Sequence, residues 1–225
     1  MGIYILLILP SLLLGLWAQA RVKRNMGKYS KVANIRGLTG EQTARQILDS
    51  QGLYDVPVEE SRGWLSDHYH PGQRALRLSR DVFHGRSVAA AGIAAHEAGH
   101  AVQHQQGYAP LRLRSAAVPT ANIGGWLGPG ICFLGAIMQT PELLGVGVVL
   151  FALTTVFTLI TLPVEFNAST RARQLLVGHG ILYAEEMEGV NKVLNAAALT
   201  YVAAAVSSVM TLAYYAFLLV GLSRD

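Results

Sequence analysis

Four long apolar stretches constrain the fold of this chain more than any other feature of its sequence. They cover residues 3–20, 116–138, 143–164 and 196–222, and none of them contains a charged residue. A helix needs about 20 apolar residues to cross the hydrocarbon core of a bilayer. Only 14% of all residues are charged, against about 25% in soluble domains. The sequence therefore predicts a mainly α-helical, polytopic membrane protein with four crossing helices.

The second stretch is the least regular of the four. It contains Pro119, Pro129 and five glycines, which permit a kinked or re-entrant path as well as a full crossing. Residues 139–142 alone separate it from the third stretch. The second and third stretches are therefore predicted to form a tight hairpin.

The basic residues predict the orientation of the chain. Residues 21–115 and 165–195 together hold 17 of the 18 Lys and Arg residues, and the hairpin tip holds none. Because basic residues stay on the cytoplasmic side, both of these regions are predicted to be cytoplasmic and both chain ends to be outside. No basic residue precedes the first stretch, so it is interpreted as an uncleaved anchor rather than a signal peptide. A basic soluble domain with buried helices is the alternative, and the one-sided distribution disfavours it.

This topology divides the chain into five segments. They are an N-terminal anchor (1–20), a first cytoplasmic region (21–115), a transmembrane hairpin (116–164), a second cytoplasmic region (165–195) and a last crossing helix with its tail (196–225). We expect the chain to reside in a bacterial plasma (inner) membrane, with the lipid bilayer and not nucleic acid as its partner. Cys132 is the single cysteine, which excludes an intrachain disulfide and a cysteine-based zinc site.

The first cytoplasmic region has the pattern of a small α+β unit. Residues 41–50 have an amphipathic helical pattern, with Thr39 as N-cap, Gln42 completing a capping box and Gly52 as the stop. Residues 55–59 and 73–78 alternate as strands do, and residues 70–72 read as a turn.

Residues 96–100 of the same region read H-E-A-G-H. Ser87 as N-cap and Gly107 as terminator predict a helix of about five turns around them. His96 and His100 then share one face and can bind one zinc ion, and Glu97 can act as general base on the attacking water. The alternative is a helix whose histidines merely find hydrogen-bond partners.

A catalytic zinc site needs a third protein ligand. Glu165 is favoured because a carboxylate at the end of the third apolar stretch needs a reason, and because two crossings return it to the side of His100. His104 lies a further turn along the helix, where the geometry is poor. The other candidates are His68, His70, His84, His179, Asp67 and the cluster of Glu185, Glu186 and Glu188.

These motifs resemble the YugP-like membrane zinc metallopeptidases, also called neutral zinc metallopeptidases. The resemblance spans nearly the whole chain and is carried by the stretches GLTGEQTARQIL, LSDHYHPGQRALRLS, AAHEAGHAVQHQQGYAPLRLR, TLPVEFNASTRA and AAALTYVAAA. The layout is also similar to the HtpX-type and CAAX prenyl proteases, in which a pattern like E-x-x-A-D supplies the third ligand. Glu165 and Ala168 match that pattern, but Ser169 stands in place of the Asp. Asn167 and Ser169 are candidates for the role of that Asp.

The resemblance implies a zincin-like peptidase unit of the gluzincin type with one zinc ion per chain. Its substrates would be polypeptides associated with the membrane, and Tyr69, His68 and Arg173 are candidates to stabilise the oxyanion. A regulator within the membrane and a second copy of the chain are both open as partners. A zinc-binding scaffold or chaperone without peptidase activity is the alternative, and the intact Glu97 argues against it. A transporter is a third class, but the four apolar stretches lack the ionisable residues that it would need.

Overall fold

The computed structural model describes residues 2–63 and 66–223. Its elements, in chain order, are α1 (Gly2–Tyr29), α2 (Gly40–Ser50), β1 (Val58–Ser61), β2 (His68–His70), β3 (Ala75–Ser79), α3 (Arg80–Phe83), α4 (Val88–Gln105), α5 (Ala109–Ile137), α6 (Pro141–Gly178) and α7 (Met187–Leu222). A short 3-10 turn at Ala184–Glu186 precedes α7. The predicted mainly helical fold with a small sheet is confirmed.

Among the described residues, three helical segments are long and apolar enough to cross a membrane. They are Ile5–Tyr29, Pro141–Gly178 and Ala184–Leu222. The predicted second apolar stretch lies in α5, which is not one of the three. α5 is nevertheless one continuous helix that accommodates Pro119 and Pro129 in its interior. Three of the four predicted crossing helices are therefore matched by candidates of sufficient length and apolarity.

The chain divides into two compact units. The first combines Met1–Ala18, Arg112–Pro163 and Thr200–Asp225, and the second combines Gln19–Leu111 and Val164–Leu199. In the first unit α5 and α6 approach closely along a row of glycines. A Cβ atom on Gly124 would lie 2.3 Å from the backbone oxygen of Leu150, and one on Gly135 would lie 2.5 Å from the backbone nitrogen of Leu144. Residues without side chains thus permit this helix–helix contact.

The second unit contains the small sheet and a continuous hydrophobic core. The strand order is β1-β3-β2, with β1 parallel and β2 antiparallel to β3. α2 packs on α4, and the core joins both helices to the sheet and to the nearby turns of α6 and α7. The largest core side chains from α2 and β3 are Ile47, Leu48, Leu76 and Leu78, all of them fully buried.

Local sequence signals of the second unit are realised with small shifts. The Thr39 hydroxyl accepts a hydrogen bond from Gln42 N at 3.1 Å, and the Gln42 side chain bonds back to Thr39 N, so the predicted capping box is present. The predicted strand at 55–59 begins at Val58 instead, and the one at 73–78 is β3. The prediction missed β2, because three residues are too few to show an alternating pattern.

Candidate metal centre

α4 carries the H-E-x-x-H sequence in the core of the second unit. The Ser87 side chain caps its start by accepting a hydrogen bond from Ala90 N at 3.1 Å. Gly107 follows its end in the left-handed conformation (φ 63°), which glycine adopts without the steric cost of a side chain. The small α4 residues Ala94, Ala95 and Ala98 are fully buried. The helix is therefore packed in the core, and its polar residues lie in an apolar environment.

Three potential metal ligands converge at this helix. Glu165 Oε2 lies 3.1 Å from His96 Nε2 and 3.5 Å from His100 Nε2. The ligand atoms of the three residues all lie within 4.8 Å of one another. Glu165 and His100 are buried, and the His96 side chain is 12% exposed. His96 is thus the most exposed member of the group.

The close approach of α4 and α6 places Glu165 at this position. A Cβ atom on Gly99 would lie only 2.8 Å from the backbone oxygen of Ala168. Gly99 lies between His96 and His100 in the sequence of α4, directly before His100. Ala168 lies about one turn beyond Glu165 on α6. Because Gly99 has no side chain, the two helices can approach closely enough for the carboxylate to meet both imidazoles.

The chemistry of these groups and the two separations from Glu165 fit a zinc ion. Two ligand atoms bound tetrahedrally to zinc at about 2.0–2.1 Å are about 3.4 Å apart, and the two distances from Glu165 to the histidines bracket that value. Two imidazoles and one carboxylate form a known catalytic zinc set that leaves a fourth position open. Burial disfavours a charged His100, yet the hydrogen bond and charge of Glu165, together with Glu97, raise the pKa of His100. The same negative field attracts a cation.

Glu97 lies outside the group of three potential ligands. Its Oε2 accepts a hydrogen bond from the backbone N–H of Tyr69 in β2, at 3.0 Å, and the residue is buried. One carboxylate oxygen of Glu97 is thus held by the edge strand of the sheet. The donor is a backbone amide, which every residue except proline has. The residue type at position 69 therefore does not predict this contact.

Both histidines of this group have a hydrogen-bond partner on the ring nitrogen remote from Glu165. His96 Nδ1 lies 3.1 Å from the Ser169 hydroxyl, and His100 Nδ1 lies 2.9 Å from Gln103 Oε1. Such partners orient the imidazole of a metal ligand. Ser169 was one of the two candidates for this role, whereas Gln103 was not predicted. Asn167, the other candidate, accepts a hydrogen bond from Gln103 at 2.9 Å.

The candidates for oxyanion stabilisation are placed differently. The Tyr69 hydroxyl lies 2.9 Å from His104 Nδ1, and burial raises the pKa of this phenol. His68 Nδ1 donates to the carbonyl of Ser66 at 2.7 Å. Arg173 donates to Asn191 and Asn195 of α7. Tyr69 is the one whose backbone also contacts Glu97.

Several alternative third ligands have other partners in the structure. Asp67 accepts hydrogen bonds from the backbone and hydroxyl of Ser79, and burial raises its pKa. Glu186 accepts from the backbone N–H groups of Ile35 and Tyr183. His84 pairs with Glu60, and His104 pairs with Tyr69.

Comparison with known proteins places the chain in a family. Residues 4–220 match the sequence model of a family described as "Putative neutral zinc metallopeptidase". The chain belongs to the neutral zinc metallopeptidase family. A relative from Bacillus subtilis (strain 168), described as "Putative membrane protease YugP", is 50% identical over 210 residues, which is 93% of each chain. No solved structure matches the present chain. The predicted YugP-like membership is confirmed.

Proposed function

We propose that this protein is a zinc-dependent endopeptidase of the membrane, of the gluzincin type, which hydrolyses peptide bonds of membrane-associated polypeptides at the cytoplasmic face. The observation that carries the proposal is the convergence of His96, His100 and Glu165 beside a buried Glu97 that stays outside the ligand group. The family name supports zinc and proteolysis, and the name of the Bacillus relative supports a membrane setting.

In this proposal Glu97 acts as the general base. A zinc ion held by the three ligands would lower the pKa of the attacking water and polarise the scissile carbonyl. Glu97 takes a proton from that water and delivers it to the leaving amine. The hydrogen bond from Tyr69 N holds one carboxylate oxygen of Glu97, so the other oxygen is the one available for proton transfer. A purely structural zinc site would not need this buried carboxylate.

The edge strand β2 is the proposed binding site for the substrate backbone. Leu76, which pairs with Tyr69, directs its backbone N–H to Pro57 on the opposite side of β3. In an antiparallel pair of this kind the N–H and C=O of Tyr69 point away from β3, consistent with its bond to Glu97. Because the Tyr69 N–H already donates to Glu97, an extended polypeptide that lies along β2 would bond to the Tyr69 C=O and would pass the general base.

The proposed topology has four crossings with the site on the cytoplasmic side. His96 and Glu165 lie 3.1 Å apart, so an even number of crossings must separate them along the chain. Residues 141–163 of α6 lie in an apolar helix that is a candidate crossing. The contact therefore supports α5 as a second crossing despite its prolines and glycines, and 17 of the 18 basic residues are then cytoplasmic.

The test is the substitution Glu97→Gln in purified, zinc-loaded protein with casein as the test substrate. General-base catalysis typically contributes 10²–10⁴-fold, so cleavage should fall at least roughly 100-fold. Zinc content should stay at one ion per chain because the three ligands remain. The exposed Glu185→Gln is the matched control and should cleave as the wild type does.

Two outcomes would refute parts of this proposal. Wild-type cleavage by Glu97→Gln would refute the mechanism and favour a zinc-binding scaffold or chaperone. Loss of zinc from Glu97→Gln would mean that Glu97 belongs to the metal site itself.

A further inference from the structure

Gln103 lies three residues beyond His100 on α4 and is fully buried. Its side chain contacts His100 Nδ1 at 2.9 Å, the Val164 carbonyl at 2.8 Å and Asn167 Oδ1 at 2.9 Å. We infer that Gln103 is a positioning residue of the metal site: it selects the nitrogen that His100 presents to the metal, and it ties His100 to the segment of α6 that carries Glu165. This inference rests on the proposed function.

The orientation of the Gln103 amide follows from its partners. The Val164 carbonyl oxygen and the Asn167 side-chain oxygen can both accept a hydrogen bond but cannot donate one. That Asn167 atom also receives the guanidinium of Arg171 at 2.6 Å, and a guanidinium only donates. The NH₂ group of Gln103 must therefore face α6, which leaves its oxygen to face His100.

This orientation decides the protonation of the imidazole. Because Gln103 Oε1 is an acceptor, the hydrogen bond requires a proton on His100 Nδ1. Nε2 of the neutral ring then carries the free lone pair, and it is the nitrogen that lies 3.5 Å from Glu165. The Ser169 hydroxyl beside His96 can donate or accept, so that contact does not select a tautomer. The two ligand histidines are thus held by different means.

The same side chain links two of the three ligands. Val164 and Asn167 lie on either side of Glu165 in the sequence, and Gln103 bonds to both. A buried amide that loses such partners costs free energy, so separation of α4 from α6 at this level is opposed. Gln103 thereby holds the distance between His100 and Glu165 as well as the orientation of His100.

The test compares Gln103→Met with Gln105→Met in the purified full-length protein. Methionine keeps the length of the side chain but can make neither the hydrogen bond to His100 nor those to Val164 and Asn167. Gln105 is an exposed residue of the same helix. Zinc affinity is measured by competition with a chelator. Loss of such an outer partner costs roughly 10- to 100-fold in metal affinity, so Gln103→Met should bind zinc that much more weakly, while Gln105→Met should bind as the wild type does.

A spectroscopic readout separates positioning from general stability. Cobalt(II) at saturation reports the geometry of its ligands, so Gln103→Met should show altered visible absorption bands. A residue that merely stabilised the fold would lower the melting temperature but leave the affinity and spectrum of the folded protein unchanged. Unchanged affinity and spectrum in Gln103→Met would overturn the inference.

A second measurement uses the wild-type protein and does not depend on the variant folding. ¹⁵N NMR of zinc-loaded protein with labelled histidine should show His100 protonated at Nδ1; protonation at Nε2 would overturn the inference. The two proposals fail differently. A wild-type protein that binds no zinc overturns the metal site and this inference together, whereas tight wild-type binding with unchanged affinity in Gln103→Met overturns this inference alone.

Discussion

At the scale of single residues, Glu165 is the proposed ligand on which the candidate metal site depends most. It comes from a different helix than the two histidines, and its carboxylate is almost fully buried between them. In Glu165→Ala the negative charge and the third ligand disappear together. We expect zinc affinity to fall by more than the roughly 100-fold that outer partners can contribute.

The measurement is metal analysis of the purified variant after dialysis against a weak chelator. Glu142→Ala is the matched control, since Glu142 lies in the first turn of the same helix. Full zinc occupancy in Glu165→Ala would assign the third ligand to another residue.

The sequence predicts these residues unequally, for a physical reason. His96, Glu97 and His100 lie within five positions of one helix, so local geometry suffices to group them. Glu165 could be proposed because a carboxylate beside an apolar stretch is unusual. Gln103 could not, because its role depends on contacts with Val164 and Asn167, 61 and 64 positions away. A glutamine within a helix gives no sign of such partners before the packing of α4 and α6 is known.

At the scale of elements, Gly99 determines how closely α4 and α6 pack. In Gly99→Ala the new Cβ atom would meet the Ala168 backbone oxygen at 2.8 Å, which forces the helices apart. Overpacking of this kind costs about 1–3 kcal/mol, more than alanine gains in helix propensity. We expect a lower melting temperature and weaker zinc binding, because Glu165 moves away from the histidines.

Gly92→Ala is the control for this prediction on the same helix. Its Cβ atom would meet Val190 Cγ1 at 3.3 Å, and a side chain can shift where a backbone cannot. Zinc affinity in Gly92→Ala should equal that of the wild type. If Gly99→Ala bound zinc equally well and melted no earlier, the close contact would not be what places Glu165.

The boundaries of α1 and α6 show that hydropathy predicts the apolar part of a helix but not where the helix ends. Apolar stretches ending at residues 20 and 164 predict the parts of α1 and α6 that a bilayer could cover, yet the helices continue to Tyr29 and Gly178. The apolar length follows the bilayer, whereas a helix ends where capping and packing end it. Glu165, the proposed third ligand, lies in such a continuation.

At the scale of the whole molecule, the proposed topology makes a prediction about both faces of the membrane. Single cysteines at the exposed Ser50 and at Thr140 between α5 and α6, with Cys132 replaced by alanine, report the two sides. In intact cells an impermeant maleimide should label Thr140→Cys, and it should label Ser50→Cys only after permeabilisation. Protection of both Thr140→Cys and Ser50→Cys in intact cells would mean that α5 and α6 do not both cross. Labelling of Ser50→Cys in intact cells would invert the orientation inferred from the basic residues, and the site, which shares a compact unit with Ser50, would then face outward.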